Sequence, residues 1–277
     1  MKTVINKQSG KSSFSWQTWR EVIQYKDLLF VLVKRDVNAV YKQTVIGFAW
    51  AVLRPLAQML LFTLVFDFIM GFGDSIPGVP YPVFTYIALV PWTYFSSALA
   101  GSSSSLVSNM AIFTKVYFPR LIIPLTPIIA KLVDFAIAFS LVFVMVYGYY
   151  GMPVKAELIY LPLLIGMMIM TSFGVGLWLS TLSIQYRDIA QLMTFLIPLL
   201  MYAAPVIYPI ERIPEDWQHI YGLYPMVGVI EGFRAAFFVG KDMPIDMILR
   251  GLGVAFIIMI SGIVYFKKKE GIFADVA

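Results

Sequence analysis

The chain of 277 residues is 60% hydrophobic and only 13% charged, with a mean hydropathy of +0.79. A soluble domain carries about 25% charged residues, so a water-exposed globular fold is excluded and an all-α polytopic membrane protein is expected. The formal charge of +5 belongs to the flanks of membrane spans rather than to a nucleic-acid surface, because no basic run alternates with aromatic residues. With no cysteine and a single histidine, His219, the sequence offers no thiolate site and too few imidazoles for a His-built metal centre.

Residues 1–26 form a polar tail, with no apolar run ahead of a small-residue cleavage site and so no evident signal peptide. Within it, Gly10-Lys11-Ser12 has the look of the end of a phosphate-binding loop. Such a loop needs Gly-x-x-x-x-Gly-Lys-Ser/Thr between a strand and a helix, so that backbone amides face the phosphates. Ile5 stands where the first glycine is required, and no apolar strand precedes it. No nucleotide site is therefore assigned.

Residues 27–44 follow as an amphipathic helix. Leu29, Leu32, Val33, Val37, Val40 and Tyr41 recur at helical spacing, and Lys34, Arg35, Asn38 and Lys42 take the remaining surface. That pattern suits a helix lying in the membrane interface, its cations near lipid phosphates.

Residues 45–277 then carry six apolar runs near the roughly 20 residues a crossing needs: 50–70, 83–107, 121–147, 158–183, 189–207 and 245–266. Lys2, Lys7, Lys11, Arg20, Lys26, Lys34, Arg35 and Lys42 precede the first run, and Lys267, Lys268 and Lys269 follow the last. Lys115, Arg120 and Arg187 fall in loops on the same side, against Lys155, Arg212, Arg234 and Lys241 opposite. The bias places both termini in the cytoplasm. Between the fifth and sixth runs, residues 208–244 hold an apolar piece too short to cross, with Glu231 and Arg234 at i,i+3 spacing suited to pairing. A re-entrant hairpin fits that length, and a surface loop is the plainer alternative.

Among the ionisable groups inside the runs, Asp67, Lys131 and Asp134 are singled out. Buried charges are costly and usually paired. A Lys131–Asp134 pair is favoured over a proton relay, which would need further titratable steps. Gly101-Ser-Ser-Ser-Ser105, Gly174 and Gly176 are expected to permit close helix packing, and Pro91 marks a kink. No catalytic constellation appears.

Four stretches together carry a resemblance. They are "VKRDVNAVYKQTVIGFAWAVLRP" (33–55), "FTKVYFPRLIIPL" (113–125), "QYRDI" (185–189) and "LYPMVGVIEGFRAAFFVG" (223–240). In this order, with six spans, the chain resembles the membrane permease subunits of type-two ABC exporters for bacterial polysaccharides, the O-antigen and teichoic-acid export permease family. The leading motif of that family falls on Tyr41, Thr44, Gly47, Trp50 and Pro55. The basic tail before Trp16 lies outside the family pattern.

The resemblance implies a homodimer resting on two copies of a cytoplasmic ATP-binding subunit, in the bacterial inner membrane. ATP and Mg would sit on that partner, and no cofactor on this chain. Residues 109–119 are then expected to be a coupling helix, with Asn109, Phe113, Lys115, Val116, Tyr117 and Phe118 meeting the ATPase. Lys34, Arg35, Asp36 and Tyr41 on the interface helix would form a second contact. A lipid-linked polysaccharide would slide past aromatics that stack on sugar C–H faces: Phe62, Phe66, Tyr86, Trp92, Tyr94, Phe95, Phe195 and Tyr202. For each ring, a lipid belt or core packing is the alternative. An ABC permease for a small amphipathic drug or lipid, and a proton-coupled transporter, remain open as other functions.

Overall fold

The computed structural model describes residues 16–42, 44–75, 78–110, 118–186 and 188–271, and every regular element among them is helical. A short helix α1 (Trp16–Gln24) leads into α2 (Lys26–Tyr41). The long helical segments α3 (Gly47–Ile69), α4 (Tyr81–Ser108), α5 (Ile122–Tyr149) and α6 (Ala156–Gln185) follow. The chain continues through α7 (Asp188–Tyr202), α8 (Glu215–Tyr221) and α9 (Pro225–Phe237) to a last long helix, α10 (Ile245–Lys269). Five of these, α3 to α6 and α10, are long and apolar enough to cross a membrane. The protein is a polytopic helical membrane protein.

The fifth expected span is shorter than its apolar run. The run continues to Ile207, but α7 stops at Tyr202 and the chain turns from 203 to 208. Pro205 and Pro209 bracket that turn. A proline lacks the donor for the helix ladder and disfavours helical geometry in the residue before it. Fifteen residues rise only about 22 Å, short of a hydrocarbon layer of roughly 30 Å.

α4 is the axis of the fold. Of its apolar window 78% is buried, against 17% for α3 and 28% for both α5 and α10, because α5, α6 and α9 pack around it. Small residues permit the closest approaches. Gly176 lies against Ser102, and Gly174 lies against the α10 backbone. Ser103 Oγ donates to the Ala100 carbonyl at 2.9 Å and Ser105 Oγ to that of Ser102 at 2.7 Å, while the buried Ser102 hydroxyl has no hydrogen-bond partner among the described residues. Hydropathy identified α4 as apolar, but the same composition would serve a lipid-facing helix, since lipid and protein neighbours are equally apolar.

Candidate functional site

The junction between α2 and α3 is built by the spaced residues of the leading motif. Thr44 Oγ1 donates to the Tyr41 carbonyl at 3.2 Å and accepts the Gly47 amide at 3.1 Å. Gly47 takes φ +57°, a left-handed conformation that side chains resist. The turn stacks Phe48 on Tyr41 with ring centroids 4.0 Å apart. One turn of α3 later, the Arg54 guanidinium lies 5.8 Å from the Trp50 ring.

α2 packs along α5, with Leu32 and Tyr41 buried. Phe30 and Val31 are exposed beside the cations Lys34 and Arg35. The intramembrane charges are paired as their spacing suggested: Lys131 Nζ lies 2.8 Å from Asp134 Oδ2. The pair has a third member that spacing did not reveal, because the Tyr41 hydroxyl donates to Asp134 Oδ1. A helix expected to lie in the membrane interface and to touch the ATP-binding subunit is thus also tied to the middle of a long helix. Asp67 sits at the far end of α3 with its carboxylate against Gly73.

At the end of the bundle that carries α2, Arg35 binds Asp36 at 2.8 Å and donates to Asn109 Oδ1 at 2.9 Å. Asn109 caps α4 by donating to the Ser105 carbonyl at 2.8 Å. The expected coupling residues Phe113, Lys115, Val116 and Tyr117 lie outside the described residues. Both ends of that segment are anchored: Asn109 to α2, and Phe118, which is buried. Arg120, just beyond, donates to the Glu270 carbonyl at the end of α10. α2, α4, α5 and α10 are therefore joined by polar contacts around one short segment.

The opposite end is organised by α9, of which all thirteen residues are buried. Glu231 and Arg234 meet at 2.7 Å, nearly unexposed. Arg234 also donates to the Val206 carbonyl at 3.0 Å and lies 3.4 Å above the Phe84 ring. The other Glu231 oxygen meets Lys241 at 2.5 Å, and Lys241 reaches Glu211 at 3.3 Å. Lys155, before α6, donates to the carbonyls of Ala235, Phe238 and Lys241 at 2.8 to 3.0 Å. These carbonyls mark the C-terminal end of α9, where a cation is favoured. Nearby, the Tyr208 and Tyr221 hydroxyls are 2.8 Å apart. Burial, and then that bond, push the Tyr221 phenol above its ordinary pKa, so it stays protonated.

The aromatic candidates separate into two groups. Tyr86, Trp92, Tyr94, Phe95 and Phe62 are buried within the chain, and Phe66 is half-buried. Tyr86 donates to the Ala138 carbonyl at 3.2 Å and Tyr94 to that of Ile128 at 3.1 Å, tying α4 to α5. In this conformation these five rings pack helices and have no surface to offer a polymer. Phe195 and Tyr202 on α7 are 65% and 55% exposed. They are the members of the set with open faces.

A family model described as ABC-2 type transporter matches residues 27–238, from the start of the interface helix to the end of α9. The chain belongs to the ABC-2 type transporter family. Among relatives, this ABC-2 protein is 30% identical over 252 residues to an O-antigen export system permease protein of Klebsiella pneumoniae, covering 90% of this chain and 95% of the relative. It is 26% identical to the protein of the same description from Myxococcus xanthus, over 92% and 97% of the two chains. A polysialic acid transport protein of Escherichia coli matches at 25% identity, over 74% of this chain and 79% of its own. The ABC-2 match covers the α2–α3 turn, the Lys131–Asp134 pair and the Glu231–Arg234 pair alike.

Proposed function

We propose that this chain is the membrane-spanning permease of an ATP-driven exporter of a lipid-linked polysaccharide in the bacterial inner membrane. Two copies work with two copies of a cytoplasmic ATP-binding subunit, which holds ATP and Mg. Both termini face the cytoplasm, α7 with the turn after it makes a sixth crossing, and α8–α9 form an outer re-entrant hairpin. The observation that carries this reading is the near end-to-end likeness to O-antigen export permeases. Its direct test is deletion of the gene in its own host. Lipid-linked polymer accumulating on the cytoplasmic side is the expected result. Normal surface polymer with altered drug sensitivity would favour a small-molecule permease instead.

Residues 109–119 serve as the lever in this reading, since Asn109 and Phe118 tie their ends to the bundle. Replacing both Phe113 and Tyr117 with Asp is expected to leave insertion intact and to lower export at least tenfold, while the partner keeps hydrolysing ATP. An unchanged ratio of polymer exported to ATP consumed would remove the two residues from coupling.

A further inference from the structure

α8 lies on the surface, and none of its residues is buried. Its links to the rest of the chain are few. Gly222, just past its last turn, lies against Met247 of α10, the Tyr221 and Tyr208 hydroxyls meet at 2.8 Å, and Gln218 donates to the Ile213 carbonyl at 2.8 Å. A further link joins α8 to α10 through His219, the only histidine of the chain. Arg250 Nη1 lies 2.7 Å from His219 Nδ1 and 3.3 Å from the His219 carbonyl oxygen.

The short contact specifies the state of the ring. A guanidinium has donors only and keeps its proton at every pH a cell meets, so Nδ1 must accept and the imidazole is neutral, with its proton on Nε2. Protonation turns Nδ1 into a second donor, and two cations then face each other at hydrogen-bond distance. The surrounding charges favour the break. Glu215 and Asp216, four and three residues before His219 on α8, are placed to receive an imidazolium. On α10, Asp246 binds Arg250 at 2.7 Å and keeps the guanidinium there when the ring leaves. In the segment preceding α8, Glu211 pairs with Lys241, and the Arg212 guanidinium lies 3.9 Å from the Phe72 ring. Imidazole is the side chain that changes charge between about pH 5 and about pH 8.

We propose that His219 and Arg250 form an acid-released latch. With the ring neutral, α8 is fastened to α10; with the ring protonated, α8 comes away from it. The latch is complete near about pH 8 and is lost as the pH falls toward about 5. That α8 faces the medium outside the cytoplasmic membrane, and so ties polymer release to the acidity there, rests on the export reading above; the latch itself does not.

The test uses the full chain in nanodiscs, with spin labels at Trp217→Cys on α8 and Leu249→Cys on α10. Both positions are exposed, and the chain has no cysteine of its own. From about pH 8 to about pH 5.5, the ratio of released to latched α8, read from the distances between labels, is expected to rise about tenfold, the loss of one charge-assisted contact. His219→Gln, whose amide oxygen accepts from Arg250 at either pH, should stay latched throughout. His219→Lys, which keeps its charge, should be released already at about pH 8. An unchanged distance distribution in the parent overturns the proposal, as does an acid response that persists in His219→Gln, or a latched His219→Lys. The distances are read without transport, so their failure leaves the export reading standing. Export by cells carrying the parent or His219→Gln, compared at the same two external pH values, tests the consequence. An acid response in the parent that the variant lacks is expected; the same response in both removes the regulatory role, and absence of export from both removes the transport reading.

Discussion

Arg234→Met is expected to be among the most damaging single substitutions in this protein, lowering stability by about 3–5 kcal/mol. The guanidinium is fully buried and joins three parts of the α9 end of the bundle at once: Glu231 on its own helix, the Val206 carbonyl after α7, and the face of Phe84 on α4. Removing it leaves the Val206 carbonyl without that donor, and Glu231 with Lys241 as its one remaining ion partner. A folded domain has only about 5–15 kcal/mol in reserve, so most of the variant should be lost from the membrane fraction and its thermal midpoint should fall sharply. Arg234→Lys should rescue poorly, because an ammonium lacks the flat fork that stacks on Phe84 while bonding two acceptors. Combining Arg234→Met with Glu231→Gln should recover part of the loss by removing the stranded charge. A single Arg234→Met variant with parental abundance and thermal midpoint would show that the network around α9 does not hold the fold.

The second large effect belongs to Gly174. A Cβ placed there would fall 2.6 Å from the Met259 Cα, and one on Gly262 would run into the Gly174 carbonyl. The obstruction is backbone on both sides, so no rotamer change relieves it, and α6 and α10 must separate. Gly174→Leu is expected to cost about 3 kcal/mol, at the upper end for overpacking. Gly166 and Gly253 provide the contrast, since nothing lies within 4 Å of an added Cβ at either. Alanine at those positions should be tolerated or gain up to about 1 kcal/mol in helix propensity. Thermal unfolding of the purified variants checks both statements. Equal tolerance at Gly174 and Gly166 would refute the close α6–α10 packing.

These cases illustrate which features were legible in the sequence. Glu231–Arg234 and Lys131–Asp134 were readable because three residues along a helix bring side chains to one face. The five long helices were readable because apolar runs of that length have few other uses. The close approach at Gly174 was expected, but its partner on α10 was not. The missing part consists of contacts between residues far apart in the chain: Tyr41 with Asp134, Lys155 with the end of α9, and Lys241 with Glu231. No local period encodes such pairs.

Two other features escaped for different reasons. α1 is short and polar enough to pass for a tail, although Val22 is buried. The aromatics of α4 were offered as a conduit because hydropathy cannot separate the centre of a bundle from its lipid-facing rim. The α2–α3 turn lies between these extremes. Its spaced residues carried the family resemblance, while the reason for the spacing emerged only with the Thr44 hydrogen bonds and the left-handed Gly47.

The central claim is that this permease moves its cargo only when a separate subunit hydrolyses ATP. Proteoliposomes containing the purified chain, with or without the ATP-binding partner, test it through the fraction of lipid-linked polysaccharide that becomes inaccessible to an externally added glycosidase. Protection that requires the partner, ATP and Mg together is the expected result. Protection by the chain alone, in the absence of nucleotide, would contradict the account.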